Sequence, residues 1–192
     1  MSGFYNKAAI NILLFVLLVL VSDSVSGSVL EVGKGKRYAT INDALKQARD
    51  HDTVVIFSGL YKEGNIRITR PLSIIGRDWP VLDGLKKTEI ITVRASNVNI
   101  SGLVLKDCAQ GSMTDPAAIR VAEASNVNII GNRLQNNFFG IYLQYAKHCL
   151  IKDNQIFASQ KHEYQSGNGI HCWKSDSLQV IGNKIAGHRD GI

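Results

Sequence analysis

The motifs missing from this sequence narrow its chemistry first. It carries no Gly-rich phosphate loop, no Gly-x-Ser-x-Gly elbow and no His-Glu-x-x-His. P-loop nucleotide chemistry, elbow-type serine hydrolysis and zinc proteolysis therefore have no starting point. Cysteine is scarce and odd in number, with Cys108, Cys149 and Cys172 only, which excludes a fully paired disulfide framework within the chain. Aromatic residues are 7% of the sequence and do not interleave with the scattered Lys and Arg. No nucleic-acid partner is expected, despite a net charge of +6, and the charge reads as a solvated surface, or one that steers an anionic partner. Long apolar runs are missing but for one. Ala8 to Val21 is apolar apart from Asn11, but at about 14 residues it falls short of the ~18 to 20 of a spanning helix. With Lys7 before it and small residues at Ser24-Val25-Ser26 or Val25-Ser26-Gly27, residues 1–27 have a signal-peptide layout, predicting export to the periplasm and a mature domain over 28–192. No Cys lies at the junction for lipid attachment.

What is present is a repeat. Asn132, Asn154 and Asn183 follow one another at steps of 22 and then 29 residues, each with an apolar residue two positions on: Leu134, Ile156 and Ile185. Ile100, Ile129, Ile151 and Val180 step by 29, 22 and 29, and Ile119, Ile141, Ile170 and Ile192 by 22, 29 and 22. Three rows in one register mean three short strands per coil of a solenoid whose core forms only by stacking. The fold class predicted is all-β, a right-handed single-stranded parallel β-helix. Gly102, Gly131 and Gly182, with Asp153 in the same place, mark corners that need a left-handed backbone, and Asn132, Asn154 and Asn183, directly after the last three, suit a structural role in satisfying their neighbours' amides. The only helical pattern is Ile41, Ala44, Leu45 and Ala48 behind Thr40 as N-cap, a short helix that covers the N-terminal end of the solenoid.

The alignment assigns faces. Cys149 falls in line with Val127, and Cys172 with Leu143, so both are expected in the core as small hydrophobes. In the last coil Ile170, Cys172, Leu178, Val180, Ile185 and Ile192 point inward, while His171 and Trp173 face out, His171 in line with Tyr142 and Arg120. The 29-residue coils carry seven-residue insertions, between Leu105 and Ile119 and between Ile156 and Ile170. Two coils apart on one side, at ~4.8 Å per coil, they emerge about 10 Å from each other. The first holds Cys108, Met113 and Asp115; the second holds His162, Glu163 and Tyr164, with His171 beyond it. Thiol, thioether and imidazole suit copper, particularly Cu(I), better than Ca²⁺ or Mg²⁺, so Cys108, Met113, His162 and His171 are the candidate metal ligands; solvated loops without a ligand are the plainer alternative. Polysaccharide cleavage needs paired carboxylates or a base beside a cation. Of Asp107, Asp115, Asp153, Asp176 and Asp190, two sit at corners, one stands alone, and the remaining pair shares one loop.

Two sets of residues carry a resemblance. Tyr38-Ala39-Thr40-Ile41, Asp52-Thr53-Val54-Val55-Ile56, Gly59-Leu60-Tyr61 and Pro71-Leu72-Ser73-Ile74-Ile75-Gly76 look like the opening of parallel β-helix proteins of the carbohydrate-binding and sugar-hydrolase type. More specific is Ser166 to Ser175 with Gly187-His188-Arg189-Asp190-Gly191-Ile192, which resembles the NosD family of periplasmic accessory proteins for nitrous oxide reductase maturation. The resemblance implies a non-catalytic scaffold that aids copper delivery to the reductase. It implies as partners the membrane and ATPase subunits of an ABC transporter, a copper chaperone lipoprotein and the reductase. An exported β-helix that binds or cleaves polysaccharide is the alternative.

Ile192 is an inward strand residue with no polar end coil after it, so further C-terminal coils are expected to be missing from this chain. Such an end exposes a strand row and apolar stacks. Size-exclusion chromatography of Ser28–Ile192 should then show association through that end; a monodisperse, cooperatively melting monomer would contradict it.

Overall fold

The fold is a parallel β-helix. The structure, a computed structural model, describes residues 27–111, 115–159 and 166–192; the expected signal peptide and the candidates Met113 and His162 lie outside them. Among the described residues, eighteen strands run in order: β1 Val29–Val32, β2 Thr53–Ile56, β3 Leu60–Tyr61, β4 Ile66–Ile68, β5 Ser73–Gly76, β6 Val81–Asp83, β7 Ile91–Val93, β8 Val98–Ser101, β9 Val104–Lys106, β10 Ala117–Ala122, β11 Val127–Ile130, β12 Arg133–Gln135, β13 Phe139–Gln144, β14 Leu150–Lys152, β15 Gln155–Phe157, β16 Ile170–Trp173, β17 Gln179–Ile181 and β18 Lys184–Ala186. From β2 on every third strand pairs, and β1 pairs with β2, always in parallel. The first sheet is β1-β2-β5-β8-β11-β14-β17, the second β3-β6-β9-β12-β15-β18 and the third β4-β7-β10-β13-β16. Each coil thus lays one strand on each of three faces.

The register rows found in the sequence are the pairing rows. Ile100 pairs with Ile129 and Ile129 with Ile151 in the first sheet, Leu105 with Leu134 and Leu134 with Ile156 in the second, and Ile119 with Ile141 and Ile141 with Ile170 in the third. These side chains are fully buried and form one continuous core. Alternate residues face out, as a strand of period two requires.

The corner glycines Gly102, Gly131 and Gly182 have φ of 72°, 62° and 66°, and Asp153 replaces them at 53°. After the corners at Gly131 and Asp153 the Asn side chain bonds in both directions along the stack. The Asn154 Oδ1 accepts from Asn132 N at 2.9 Å and from Asn132 Nδ2 at 3.1 Å, and Asn154 Nδ2 donates to Ile129 O at 2.9 Å and Asn183 Oδ1 at 2.9 Å. Asn132 and Asn183 repeat the pattern on Ile100 O and Ile151 O. Asn137 builds a second corner: its Oδ1 accepts from Cys108 N at 3.0 Å and its Nδ2 donates to Leu105 O at 3.0 Å.

The helix α1, Ile41–Gln47, begins at Thr40, whose hydroxyl accepts from Asp43 N, and buries Ile41 and Ala44 against β1, β2 and β4. The Glu63 carboxylate accepts from Ile41 N at 2.8 Å and Asn42 N at 2.9 Å, tying the helix N-terminus to the first coil and satisfying two amides that no helical carbonyl reaches. β1, which extends the first sheet before the helix, has no counterpart in the sequence reading.

The last coil departs from the expected burial. Cys172 pairs with Leu143 in the inward register, yet it is exposed, because among the described residues β16 is the outermost strand of its sheet. Leu178, Val180 and Ile185 are only partly buried, and Ile192 is 66% exposed. Cys149, one coil further in, is buried as expected.

Asn154→Ala should be more damaging than its size suggests, because Asn132 N and Ile129 O each lose a buried partner. The expected loss is about 2 to 5 kcal/mol in urea unfolding, at roughly 1 to 3 kcal/mol per orphaned group. Asn154→Leu should not restore it, and a variant as stable as the parent would contradict the bridging role.

Candidate functional site

The seven-residue excess of the long coils goes into two loops between the second and third sheets: one joins β9 to β10, the other β15 to β16. Both therefore flank the outward face of the third sheet. One row of that face runs Arg67, Thr92, Arg120, Tyr142, His171, each paired with the next on the neighbouring strand. Its centre is closely packed. Arg120 donates through Nε to Glu89, both side chains being largely buried, and through Nη2 to the Asp115 carbonyl. Its guanidinium lies 4.4 Å from the Tyr142 ring centroid. Glu89 also accepts from the Thr92 hydroxyl at 2.9 Å. A buried ion pair of this kind holds only where further hydrogen bonds offset desolvation, and here Thr92 and Asp115 supply them. Beside it lies a recess of about 300 Å³ lined by Lys87, Thr88, Glu89, Ala109, Pro116 and Arg120.

Towards the second loop the face becomes aromatic. Phe139 lies 5.3 Å from Tyr142 and 5.0 Å from His171, and Tyr142 meets His171 edge-on at 4.8 Å, spacings at which ring quadrupoles attract. Burial, with the Asp115 charge behind it, raises the Tyr142 hydroxyl above the usual tyrosine range. The base of the loop is pinned by His188, whose Nδ1 lies 3.1 Å from Ser166 Oγ and 3.3 Å from Gly167 O; burial keeps this imidazole below the ordinary range and so neutral. Arg189 Nη2 donates to Asn168 Oδ1 at 3.0 Å, and Asn168 Nδ2 faces His171 Nδ1 at 3.4 Å. With Nδ1 facing that donor, the neutral His171 ring carries its proton on Nε2.

Of the four candidate ligands, the described residues include two. His171 is half-buried on the outward face as expected. Cys108 is fully buried at the base of the first loop; its sulfur accepts from Phe138 N at 3.1 Å, and burial pushes its thiol up to about 12, so no thiolate forms near neutral pH. Among the described residues no group of three His, Cys, Asp or Glu converges as a metal cage would, so they do not form a closed copper site by themselves. The carboxylates are likewise dispersed: Asp107 pairs with Lys106, Asp153 occupies a corner and Asp190 pairs with Arg189.

A family model described as "Periplasmic copper-binding protein (NosD)" matches residues 83–192, from the second coil to the last and across both loops. The chain belongs to the NosD family. Two relatives carry the name "Probable ABC transporter binding protein NosD". The one from Pseudomonas aeruginosa is 30% identical over 130 residues, which cover 67% of this chain and 30% of that protein. The one from Stutzerimonas stutzeri is 23% identical over 131 residues, with the same coverage. The NosD match thus spans about a third of those relatives' length. Among solved structures, a pectin methylesterase in complex with a hexasaccharide aligns with a TM-score of 0.45 at 16% identity, covering 75% of this chain and 59% of that one. The deglycosylated Aspergillus niger pectin methylesterase aligns at 0.37 and 12%, covering 85% and 87%.

Sequence reasoning placed Arg120, Tyr142 and His171 on one row but passed over Glu89, Thr92 and Phe139. Glu89 and Thr92 sit in an early coil whose register the repeat does not reveal. Phe139 lies at a strand start where the alignment shows only the small residue after it.

The burial pattern sets thiol reactivity. At pH 8, a maleimide should label the folded chain at Cys172 and spare Cys108 and Cys149 until denaturant is added, as read by mass spectrometry of the digested protein. Rapid labelling of Cys108 in the native state would show that the base of the first loop is open.

Proposed function

We propose that this chain is part of a periplasmic accessory protein of an ABC-transporter system that aids copper delivery during maturation of nitrous oxide reductase, as a scaffold without catalysis. The observation that carries the proposal is the NosD match over residues 83–192, because it spans both insertion loops and the whole aromatic part of the third sheet. The relatives' name, ABC transporter binding protein, supports a transporter's membrane and ATPase subunits as partners. A copper chaperone lipoprotein and the reductase are the partners on either side of a copper relay. The apolar run at Ala8 to Val21 then serves export.

Copper is cargo in this scheme. We assign its contacts to Met113 and His162, one from each loop segment of the sequence, and to His171 on β16. A thioether with imidazoles matches the preference of Cu(I), and weak, few-ligand binding suits an ion that must be handed on. His171 takes part through Nε2 once Asn168 no longer faces a bare Nδ1. Cys108, fully buried, is not available to the ion as the structure stands. The packed Phe139, Tyr142 and Arg120 hold the His171 ring in place.

Cu(I) competition against a chromophoric chelator tests the assignment. Replacing Met113, His162 and His171 together with Ala should weaken retention by about ten-fold or more, the range expected when first-contact donors are lost. Unchanged retention removes the ligand set. Copper analysis of the reductase from cells lacking the gene tests the role itself, and a fully loaded enzyme would remove it.

A further inference from the structure

The N-terminal half of the third sheet presents a basic groove that none of the copper chemistry uses. It lies between α1 and β4, has a volume of about 560 Å³, and is lined by Asn42, Leu45, Lys46, Asn65, Arg67 and Arg70 with Thr69. Arg94, directly after β7, lies beside it, its N–H donating to Ile68 O at 2.8 Å. Arg67 pairs with Thr92, so Arg94, two residues further along β7's path, faces out on the same side, and both guanidiniums are exposed. The nearby carboxylates are already committed. Asp43 holds Lys46 at 3.0 Å, Asp50 reaches Arg70 only at 3.9 Å, and Glu63 is spent on the amides of Ile41 and Asn42. Among the described residues, Arg67 and Arg94 form no ion pair; the eight pairs found involve other residues. Arg67 and Arg94 therefore hold positive charge that no carboxylate among the described residues balances.

We infer that this groove docks an extended acidic peptide segment of a partner protein, with carboxylates seated on Arg67 and Arg94. Guanidinium groups bind carboxylates through two parallel hydrogen bonds. The spacing suits a peptide. One strand separation of ~4.8 Å combined with two residues of rise, ~6.6 Å, puts the two arginines about 8 Å apart at their backbones. Alternate side chains of an extended peptide recur at about 7 Å, so acidic residues at every second position meet both. Asn65 and the exposed Thr69 supply hydrogen bonds to peptide groups between them.

The neighbouring chemistry disfavours an acidic polysaccharide. Sugar recognition on such a face uses open aromatic rings, but no aromatic side chain lines the groove. Further along the face, Tyr142 and Phe139 are each only 6% exposed, with Arg120 over one ring and His171 against both. A membrane surface fits poorly as well, since the cations line a recess between helix and sheet rather than a convex rim. This docking does not depend on the copper assignment, as none of its residues lies in either loop.

The test uses the full chain and a fluorescein-labelled peptide alternating Glu with Ala, followed by anisotropy. Binding is expected, and should weaken as NaCl rises from about 50 to 300 mM, where screening shortens the reach of exposed charges. The double variant R67E/R94E should bind at least about ten-fold more weakly, and R67Q/R94Q should follow in the same direction. K152E, on the first sheet, should bind like the parent. Thermal melts of each variant confirm the fold. Absence of binding, binding that survives both double variants, or displacement of the peptide by polygalacturonate or anionic phosphatidylglycerol vesicles at lower charge concentration than by unlabelled peptide would each overturn the inference.

Discussion

One side-chain amide in each of three successive coils, Asn132, Asn154 and Asn183, bonded to the main chain of the coil before it, is what the regular part of this fold depends on. Parallel coils have no hairpin to set their register, so something must stop one coil sliding along the next. A slip of one residue would turn every Leu and Ile of a strand towards solvent. Asn132, Asn154 and Asn183 prevent it by geometry. Each donates to a main-chain carbonyl of the coil before it, as in Asn154 Nδ2 to Ile129 O at 2.9 Å, and each accepts the amide of the equivalent residue there. A slipped coil would leave several of these groups buried and unpaired, at roughly 1 to 3 kcal/mol each. The glycines before them, and Asp153 in their place, let the chain turn so that the amide lands on the axis of the stack.

With the register held at that corner, differences in coil length go elsewhere. The ladder steps by 22 residues from Asn132 to Asn154 and by 29 from Asn154 to Asn183, yet makes the same bonds in both steps. The additional seven residues are expelled at the opposite edge as loops beside the third sheet. Placing loops there creates the partly enclosed surface on which Glu89 and Arg120 are buried. Such a pair gains little stability against its desolvation, so its value is positional. Arg120 is held against Tyr142, and Tyr142 in turn supports the ring of His171.

The repeat was legible because core burial and the Asn ladder both impose period on the sequence. The rows through Ile100, Leu105 and Ile119 could be read off as apolar residues at steps of 22 or 29, and they are the pairing rows. The N-terminal helix was legible from Thr40 and the spacing of Ile41, Ala44 and Ala48. β1 was not, since four residues before the first regular coil have nothing to be periodic with. Nor was the clamp of Glu63 on the helix amides, which joins residues 22 positions apart without any local pattern. Cys172 shows a different limit. Alternation correctly gave the direction of its side chain, but burial depends also on what stacks over it, and that is a property of the neighbouring coil.

The third sheet finally divides along its length in a way that neither half explains for the other. Its later strands carry Phe139, Tyr142 and His171 between two loops, and they lie wholly within the NosD match, which begins at residue 83. Its first strand carries Arg67, with Lys46 and Arg70 around it, and lies before that match; Arg94 sits just inside. Both halves share one face because a solenoid has no means of pointing successive coils in different directions. A partner laid along that face would meet uncompensated positive charge first and the loop-flanked rings afterwards. Charge acts over about 8 Å at physiological salt, whereas donor atoms must come within bonding distance. An acidic partner would therefore be oriented by Arg67 and Arg94 before any donor atom further along the sheet came within bonding distance.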